Sequence, residues 1–330
     1  MSDPLGHTSP KADARSTAPP SKHGIAADLI AVLVAVTSGD PRVLTIQDQH
    51  ALPSGPFELA HRSLQYGLRA WVERQTRLPL GYVEQLYTFA DRDRAGAADA
   101  RVISISYLGL TREQPASANY KASWRSWYHY FPWEDHRLGV PPLMEKTLRH
   151  GLAAWAAETP DRATRRDRRQ RAAMLFGLEG HVWNEELVLQ RYELLYEARL
   201  IPEALRGENP RTLPDMSTAV PGDSMILDHR RILATGIARL RAKIKYHPVV
   251  FELMSDTFTL LQLQRCVEAL AGKLVHKPNF RRLIEQQELV EETGEMSQDT
   301  GGRPAKLFRF RRTVLAERAI AGTKLPISGT

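Results

Sequence analysis

Apolar residues run almost unbroken through 25–37 (IAADLIAVLVAVT), stop at Gly39-Asp40-Pro41 and resume over 42–46. That pattern predicts strand, turn, strand. Over 58–72 the apolar positions Leu59, Leu64, Leu68, Trp71 and Val72 fall at near-helical spacing, and Pro79-Leu80-Gly81 ends the segment. A helix is predicted there. Residues 83–89 and 101–110 read as two more strands around a polar loop, so strands alternating with a helix predict a mixed α/β layer. From about 141 to 206 the pattern is helical throughout (MEKTLRHGLAAWAAE, RATRRDRRQRAAMLFGL, NEELVLQRYELLYEARL), and 207–223 follows as an exit loop. Residues 228–245 predict one more helix, with Asp228 as N-cap and Ile232, Leu233, Ile237, Leu240 and Ile244 on one face.

After His247-Pro248 the order changes. A helix over 259–271 is capped by Thr259 and ended by Gly272, and Pro278 opens a second helix over 279–287. Strands over 289–292 and 305–312 then flank a loop, 293–304, that holds Gly294, Gly301 and Gly302. Helix, turn, helix, strand, Gly-rich loop, strand is the order of a winged helix-turn-helix. A DNA-reading second helix needs basic and amide side chains on its outer face, because Arg and Lys pair with phosphates or guanine and Asn suits adenine. Lys277, Asn279, Arg281 and Arg282 supply that set, with Phe280, Leu283 and Ile284 as the inner face. In the wing, Arg303 and Lys306 lie beside glycines that let backbone approach a phosphate, and Arg309, Arg311 and Arg312 extend the positive strand.

The 330 residues exceed what a single core usually organises and imply two domains. Residues 1–23, rich in Ser, Pro, Ala and charge, lack the apolar core of a secretory signal and read as a disordered tail. No apolar run approaches the roughly 20 residues that cross a bilayer. The single cysteine, Cys266, excludes an intramolecular disulfide framework and a Cys-based zinc cluster, and in a helical segment it reads as a packing residue. A cytoplasmic protein is expected. The net charge of +7 favours anionic partners. Arg162, Arg165, Arg166, Arg168, Arg169 and Arg171 surround one helix with positive charge; a solvated face is the default reading and phosphate binding the alternative. His61, His136, His181 and His229 form no helix-spaced metal pair, so no metal site is expected. His229, beside Asp228, reads as part of a helix start. Trp124, Trp127, Tyr128, Tyr130, Phe131 and Trp133 crowd together; most read as packing, with Trp127 and Trp133 the candidates for pocket walls that stack on adenine or nicotinamide.

The segment FELMSDTFTLLQLQRCVEALAGKLVHKPNFRRLIEQQELVEETGE (251–295), followed by GGRPAKLFRF (301–310), resembles the C-terminal DNA-binding domain of the Nudix-related transcriptional regulators of NAD metabolism. Tyr82–Phe89, 101–104 and 227–233 leading to Tyr246-His247-Pro248 resemble the same regulators' Nudix-like domain. A Nudix hydrolase box has Gly, five residues, Glu, seven residues, then Arg-Glu-apolar-any-Glu-Glu-any-Gly, its carboxylates holding magnesium against a diphosphate. Here Gly55, Arg69 and Glu73 match, but His61, Ala70, Arg74 and Thr76 replace the first Glu, the Glu after Arg, the second of the paired Glu and the Gly. Only Glu73 remains of the metal-binding carboxylates, so little or no diphosphate hydrolysis is expected and no catalytic residue is assigned. The helical insertion and Phe131-Pro132-Trp133-Glu134-Asp135-His136-Arg137 look like the NadQ-type branch, whose implied target is the operon for de novo NAD synthesis.

The resulting expectation is an α+β chain: a Nudix-like α/β/α sandwich over 24–247 with a helical insertion at about 141–212, then a winged helix over 248–330. The resemblance implies a homodimeric repressor on a palindromic double-stranded DNA operator, with no cofactor. It implies an adenine-nucleotide, ADP-ribose or NAD effector in the Nudix-like domain, for which Gly55, Arg69, Glu73, Trp127 and Trp133 are the candidates. Two rivals stand beside it: an active nucleotide-diphosphate hydrolase with a regulatory C-terminal domain, and an RNA- or protein-binding adaptor.

Overall fold

The apolar run Ile25–Thr37 forms β1, and its place in the sheet explains why it is apolar on both faces. In this computed structural model, which describes residues 25–90, 101–114, 121–206, 220–297, 304–311 and 313, β1 lies at the centre. It pairs antiparallel with β2 (Asp40–Thr45) and the short β3 (Ser54–Pro56), and parallel with β5 (Arg101–Leu110). β4 (Tyr82–Phe89) pairs with β5, and β6 (Ser123–Ser126) with β2, giving the order β4-β5-β1-β2-β6. The tight turn from β1 to β2 is Ser38-Gly39, both at positive φ (53° and 74°), one step earlier than the Gly-Asp-Pro signal suggested.

Alternate side chains of β1 point to opposite faces, and each face meets a helix. Leu29, Ala31 and Leu33 pack on Leu68 and Val72 of α1 (Leu64–Thr76). Ile30, Val32 and Val34 pack with Ile232, Leu233 and Ile237 of α5 (His229–Lys243). The sheet is thus a layer between helices, as expected. The start of α1 is six residues later than the periodicity suggested, because Ser63 caps the helix by accepting the Tyr66 N–H (3.2 Å). Asp228 sits at the start of α5 but its side chain caps no backbone amide; it pairs with Arg231 instead (3.6 Å).

The helical region holds α2 (Arg149–Ala157), α3 (Arg162–Phe176) and α4 (Val188–Glu197), with a π-helical turn, Met144–Leu148, ahead of α2. Trp127 and Trp133 occupy two short 3-10 turns after β6 and are wholly buried in the main core, in edge-on contact with Tyr128 and Phe131 respectively. This corrects their reading as pocket walls: no surface is left on either ring for a ligand. The predicted tail (1–23), most of the exit loop, Arg303 and Arg312 lie outside the described residues. Among the described residues no helix is long and apolar enough to cross a membrane.

The C-terminal elements are α6 (Leu260–Ala271), α7 (Lys277–Gln286) and a hairpin of β7 (Val290–Ser297) and β8 (Ala305–Phe310). Thr259 caps α6 and Gly272 ends it at φ 70°, both as read from the sequence, and Gln262 completes a capping box with Thr259. Gly272 has a second duty: a Cβ there would lie 2.3 Å from the Glu134 carbonyl oxygen. The helix α7 begins at Lys277, two residues before the expected start, with Pro278 inside its first turn. Cys266 is buried, as a packing residue would be.

One buried cluster bonds these parts together. Glu134 accepts from Arg191 of α4 (Nε, 2.6 Å; Nη2, 2.9 Å) and from Arg241 of α5 (Nη1, 2.5 Å), with all three side chains at 0% exposure. Burial raises the carboxyl's pKa, but the two guanidiniums outweigh it and hold Glu134 below its ordinary value, as an anion. Arg241 also donates from Nε to the Leu270 carbonyl in α6 (2.8 Å), while the His136 N–H donates to the Gly272 carbonyl (2.7 Å) and the Tyr128 hydroxyl to the Ala269 carbonyl (2.7 Å). Removing the anion strands two cations out of water. Glu134→Gln is therefore expected to lower stability by about 3–5 kcal/mol, read as a shift of the urea unfolding midpoint; a shift near zero would mean the cluster holds nothing.

Candidate functional site

Two regions stand out, a pocket at one end of the sheet and the outer face of α7. The pocket, of about 210 Å³, is lined by Asp28 and Ile30 of β1, Ser54–Pro56 of β3, Phe89 of β4, Val102 and Ser104 of β5, and Ile226–His229 at the start of α5. Register explains the set: Asp28 lies opposite Pro56 on one side and Ser104 on the other, so these residues share one face. Burial of Asp28 raises its carboxyl pKa, and no ion pair to a described residue relieves it. An acid inside an otherwise apolar central strand was the sequence signal for this pocket, and the sequence reading passed over it.

His229 closes the pocket floor in a single tautomer. The Leu52 N–H donates to its Nδ1 (2.9 Å), so the neutral ring carries its proton on Nε2. Burial, and secondarily Arg206, pushes its pKa down to about 4. Leu227, beside it, sits at φ 46°, a left-handed conformation that a branched side chain rarely adopts. Such local strain concentrates at binding sites.

The structure separates the sequence candidates. Gly55 borders the pocket, but its direct requirement is steric, since a Cβ there would lie 2.2 Å from the Trp71 indole. Trp71 Nε1 donates to the Pro56 carbonyl (2.9 Å), and the Gln75 amide makes two bonds to the Ser54 backbone (3.0 and 2.8 Å), so α1 pins β3 and with it the pocket wall. Arg69 and Glu73 belong to α1, which packs on the opposite face of β1 from the pocket. The Arg69 guanidinium donates to the carbonyls of Leu80 and Gly81, and Glu73 is exposed. Arg74 lies over the Trp71 ring (4.5 Å), and the Thr76 hydroxyl is turned back onto the Val72 carbonyl (2.7 Å). Among the described residues no group of three or more His, Cys, Asp or Glu side chains is placed to share a metal ion.

On α7, Lys277, Asn279, Arg281 and Arg282 are all exposed within the first two turns, and no described side chain pairs with them. Phe280 and Ile284 face inward as expected, whereas Leu283 is 50% exposed, which corrects its place on the inner face. The wing differs from expectation. Lys306 pairs with Glu292 (2.9 Å), Arg309 with Glu291 (2.5 Å) and Arg311 with Glu288 (3.1 Å). Among the described residues, the basic side chains of β8 are thus balanced by acidic neighbours from β7 and the turn before it, whereas those of α7 are not.

A helix–sheet–helix layer followed by a winged helix, with the reading helix bared, is the architecture of a Nudix-type domain joined to a DNA-binding head. Residues 250–310 match the sequence model of the NrtR DNA-binding winged helix domain. An ADPR responsive transcriptional repressor, NtrR, of Acinetobacter baylyi is 38% identical over 86 residues, covering 26% of this chain and 34% of that relative, so the match spans about a third of the relative's length. The NrtR of Shewanella oneidensis, crystallised with a 27mer DNA, superposes with TM-score 0.51 at 19% identity, covering 88% of this chain and 95% of that one. A MutT/nudix family protein from Enterococcus faecalis superposes with TM-score 0.51 at 16% identity over 88% of each chain. Residues 250–310 thus match the NrtR DNA-binding winged helix model, within a chain that has the Nudix-plus-winged-helix fold seen in NrtR.

His229 gives the pocket a pH signature. Its folded pKa of about 4 lies below the ordinary 6.5, so its contribution is complete above about 6.5 and is lost as pH falls toward 4. The expected slope for this group reaches about 1.4 kcal/mol per pH unit. His229→Asn, whose Oδ1 replaces the Nδ1 acceptor for Leu52, should flatten the urea stability profile across that window. An unchanged slope would show that some other group titrates.

Proposed function

We propose that this protein is a transcriptional repressor that grips double-stranded DNA through α7 and senses an adenine-nucleotide effector, ADP-ribose in the first instance, in the Nudix-like pocket. The observation that carries it is the row of four exposed, unpaired side chains on α7, inside the segment that matches the NrtR DNA-binding domain. Basic and amide groups in the first turns of a second helix are what major-groove reading requires. The Acinetobacter relative's name supports ADP-ribose as effector and repression as outcome. We assign 24–247 to effector binding and dimerisation and 248–330 to DNA, and place two copies on the half-sites of a palindrome, as two-fold symmetry requires. The NadQ-type resemblance of the helical insertion points to genes of NAD synthesis as the target.

The pocket's chemistry narrows how the effector sits. At about 210 Å³ it is smaller than sites that engulf a whole ligand, roughly 300–1,000 Å³, so it takes one end of the molecule. Asp28, Asp228 and Ser104 offer acceptors and His229 Nε2 a donor, a set suited to ribose hydroxyls or an adenine edge and unfavourable to phosphates. The diphosphate then lies outside, and Arg69 serves by holding the turn at 80–81.

Two measurements test this reading. Salt-dependent binding to the duplex upstream of the protein's own gene should weaken by about 1–3 kcal/mol for Arg281→Ala or Arg282→Ala. Lys306→Ala, whose charge Glu292 already neutralises, should cost less than either. Binding that ignores both arginines would favour an RNA or protein partner. With ADP-ribose or NAD and magnesium, no turnover is expected, since one exposed carboxylate, Glu73, replaces the box's acidic set. Turnover abolished by Glu73→Gln would establish the hydrolase instead.

A further inference from the structure

The arginines of α3 do not all do the same thing. Arg165 donates to the Thr159 carbonyl (2.9 Å), Arg168 donates to the Trp155 carbonyl (2.9 Å) and lies over the Trp155 ring (4.6 Å), and Arg171 pairs with Glu197 (3.0 Å). These three hold α3 against α2 and α4. Arg162, Arg166 and Arg169 are left: all are exposed, and none has a described ion pair or hydrogen bond. Their spacing of four and three residues puts them in one stripe along the helix. Among the carboxylates of the surrounding helical region, Glu145 pairs with Arg149, Glu193 with Arg231 and Glu197 with Arg171. Asp167, the acid inside α3, sits about 100° around the helix from Arg166 and faces Arg171 (3.9 Å).

The stripe begins where a helix tolerates cations least. Arg162 stands in the first turn of α3, which has no acidic residue, so the backbone dipole repels it there. Only the Asp161 cap, accepting the Thr164 N–H (2.8 Å), opposes that repulsion. The mutual repulsion of a row of free guanidiniums is relieved by an external polyanion. From Arg162 to Arg169 the stripe covers roughly 10 Å of axis at about 1.5 Å per residue, close to the rise of about three phosphates on one strand of duplex DNA at about 3.4 Å each.

We infer that Arg162, Arg166 and Arg169 form a second, sequence-independent contact with the phosphate backbone of the DNA that α7 reads. The inference rests on the DNA-binding reading above. The helical region can act as a fixed second grip because α4 is bonded through Arg191, Glu134 and Arg241 to the Leu270 carbonyl of α6, so α3 does not drift relative to the reading head.

The test compares the full-length protein, the triple variant Arg162→Gln, Arg166→Gln, Arg169→Gln, and the double variant Arg281→Ala, Arg282→Ala. Each is titrated by fluorescence anisotropy at several salt concentrations with two duplexes of equal length, one from the promoter with flanking sequence and one random. The triple variant should lower the slope of log K against log salt by about 2–3, at about 0.9 per phosphate lost, equally on both duplexes, with its unfolding midpoint unchanged. An unchanged slope, with the double variant still impaired, would overturn the inference and leave the reading of α7 intact. If the unaltered protein fails to bind either duplex, the DNA-binding reading itself falls.

Discussion

Glu134 is the residue on which the arrangement turns. An isolated carboxylate buried this deeply is not sustainable, and two guanidiniums from different helices make it so. The remaining donors of those guanidiniums are also met: Arg191 Nη1 reaches the carbonyls of Leu175 and Asn184, and Arg241 reaches those of Leu270 and Glu185. All but the bond to Asn184 join segments distant in the chain. Apolar packing would bury the same volume without fixing a register, whereas three charges with directed hydrogen bonds admit one arrangement. A second buried pair, Arg230 with Glu203 (3.1 Å), repeats the device between α5 and the end of the helical region.

The helix α5 is common to the pocket, the charge cluster and the DNA-binding head. It starts at His229, on the pocket floor, and carries Arg241 twelve residues on, roughly 18 Å along the axis. A ligand that displaced the start of α5 would act on a rigid rod whose other end is bonded to α6. That is a physical route for regulation, provided the ligand favours one position of the rod over another.

Charge is distributed unequally across the reading head. Among the described residues, the wing's Lys306, Arg309 and Arg311 are matched by glutamates of β7 and the preceding turn, while the cations of α7 face solvent without described partners. On the proposed reading, groove contact falls to the helix, and the wing contributes shape more than charge. In the Nudix-like part the corresponding asymmetry is between faces of the sheet. Arg69 and Glu73 are on one face and the acid-lined pocket is on the other, with β3 and Gly55 between them.

Local order was legible in the sequence because it is written locally. The run IAADLIAVLVAVT read as a strand, the Thr259 and Gly272 signals bounded α6, and the apolar Phe280 and Ile284 marked the inner face of α7. The strands β3 and β6 were missed, since three or four residues carry no periodicity and are strands only because β1 and β2 lie beside them. The burial of Trp127 and Trp133 and the neutralisation of Lys306 and Arg309 depend on partners contributed by other segments. So do the union of Asp28 with His229 and the pairing of Arg191 and Arg241 on Glu134. Periodicity and capping record what a residue does with its near neighbours along the chain; which distant charges and rings share a volume is settled only when the sheet and its helices close around them.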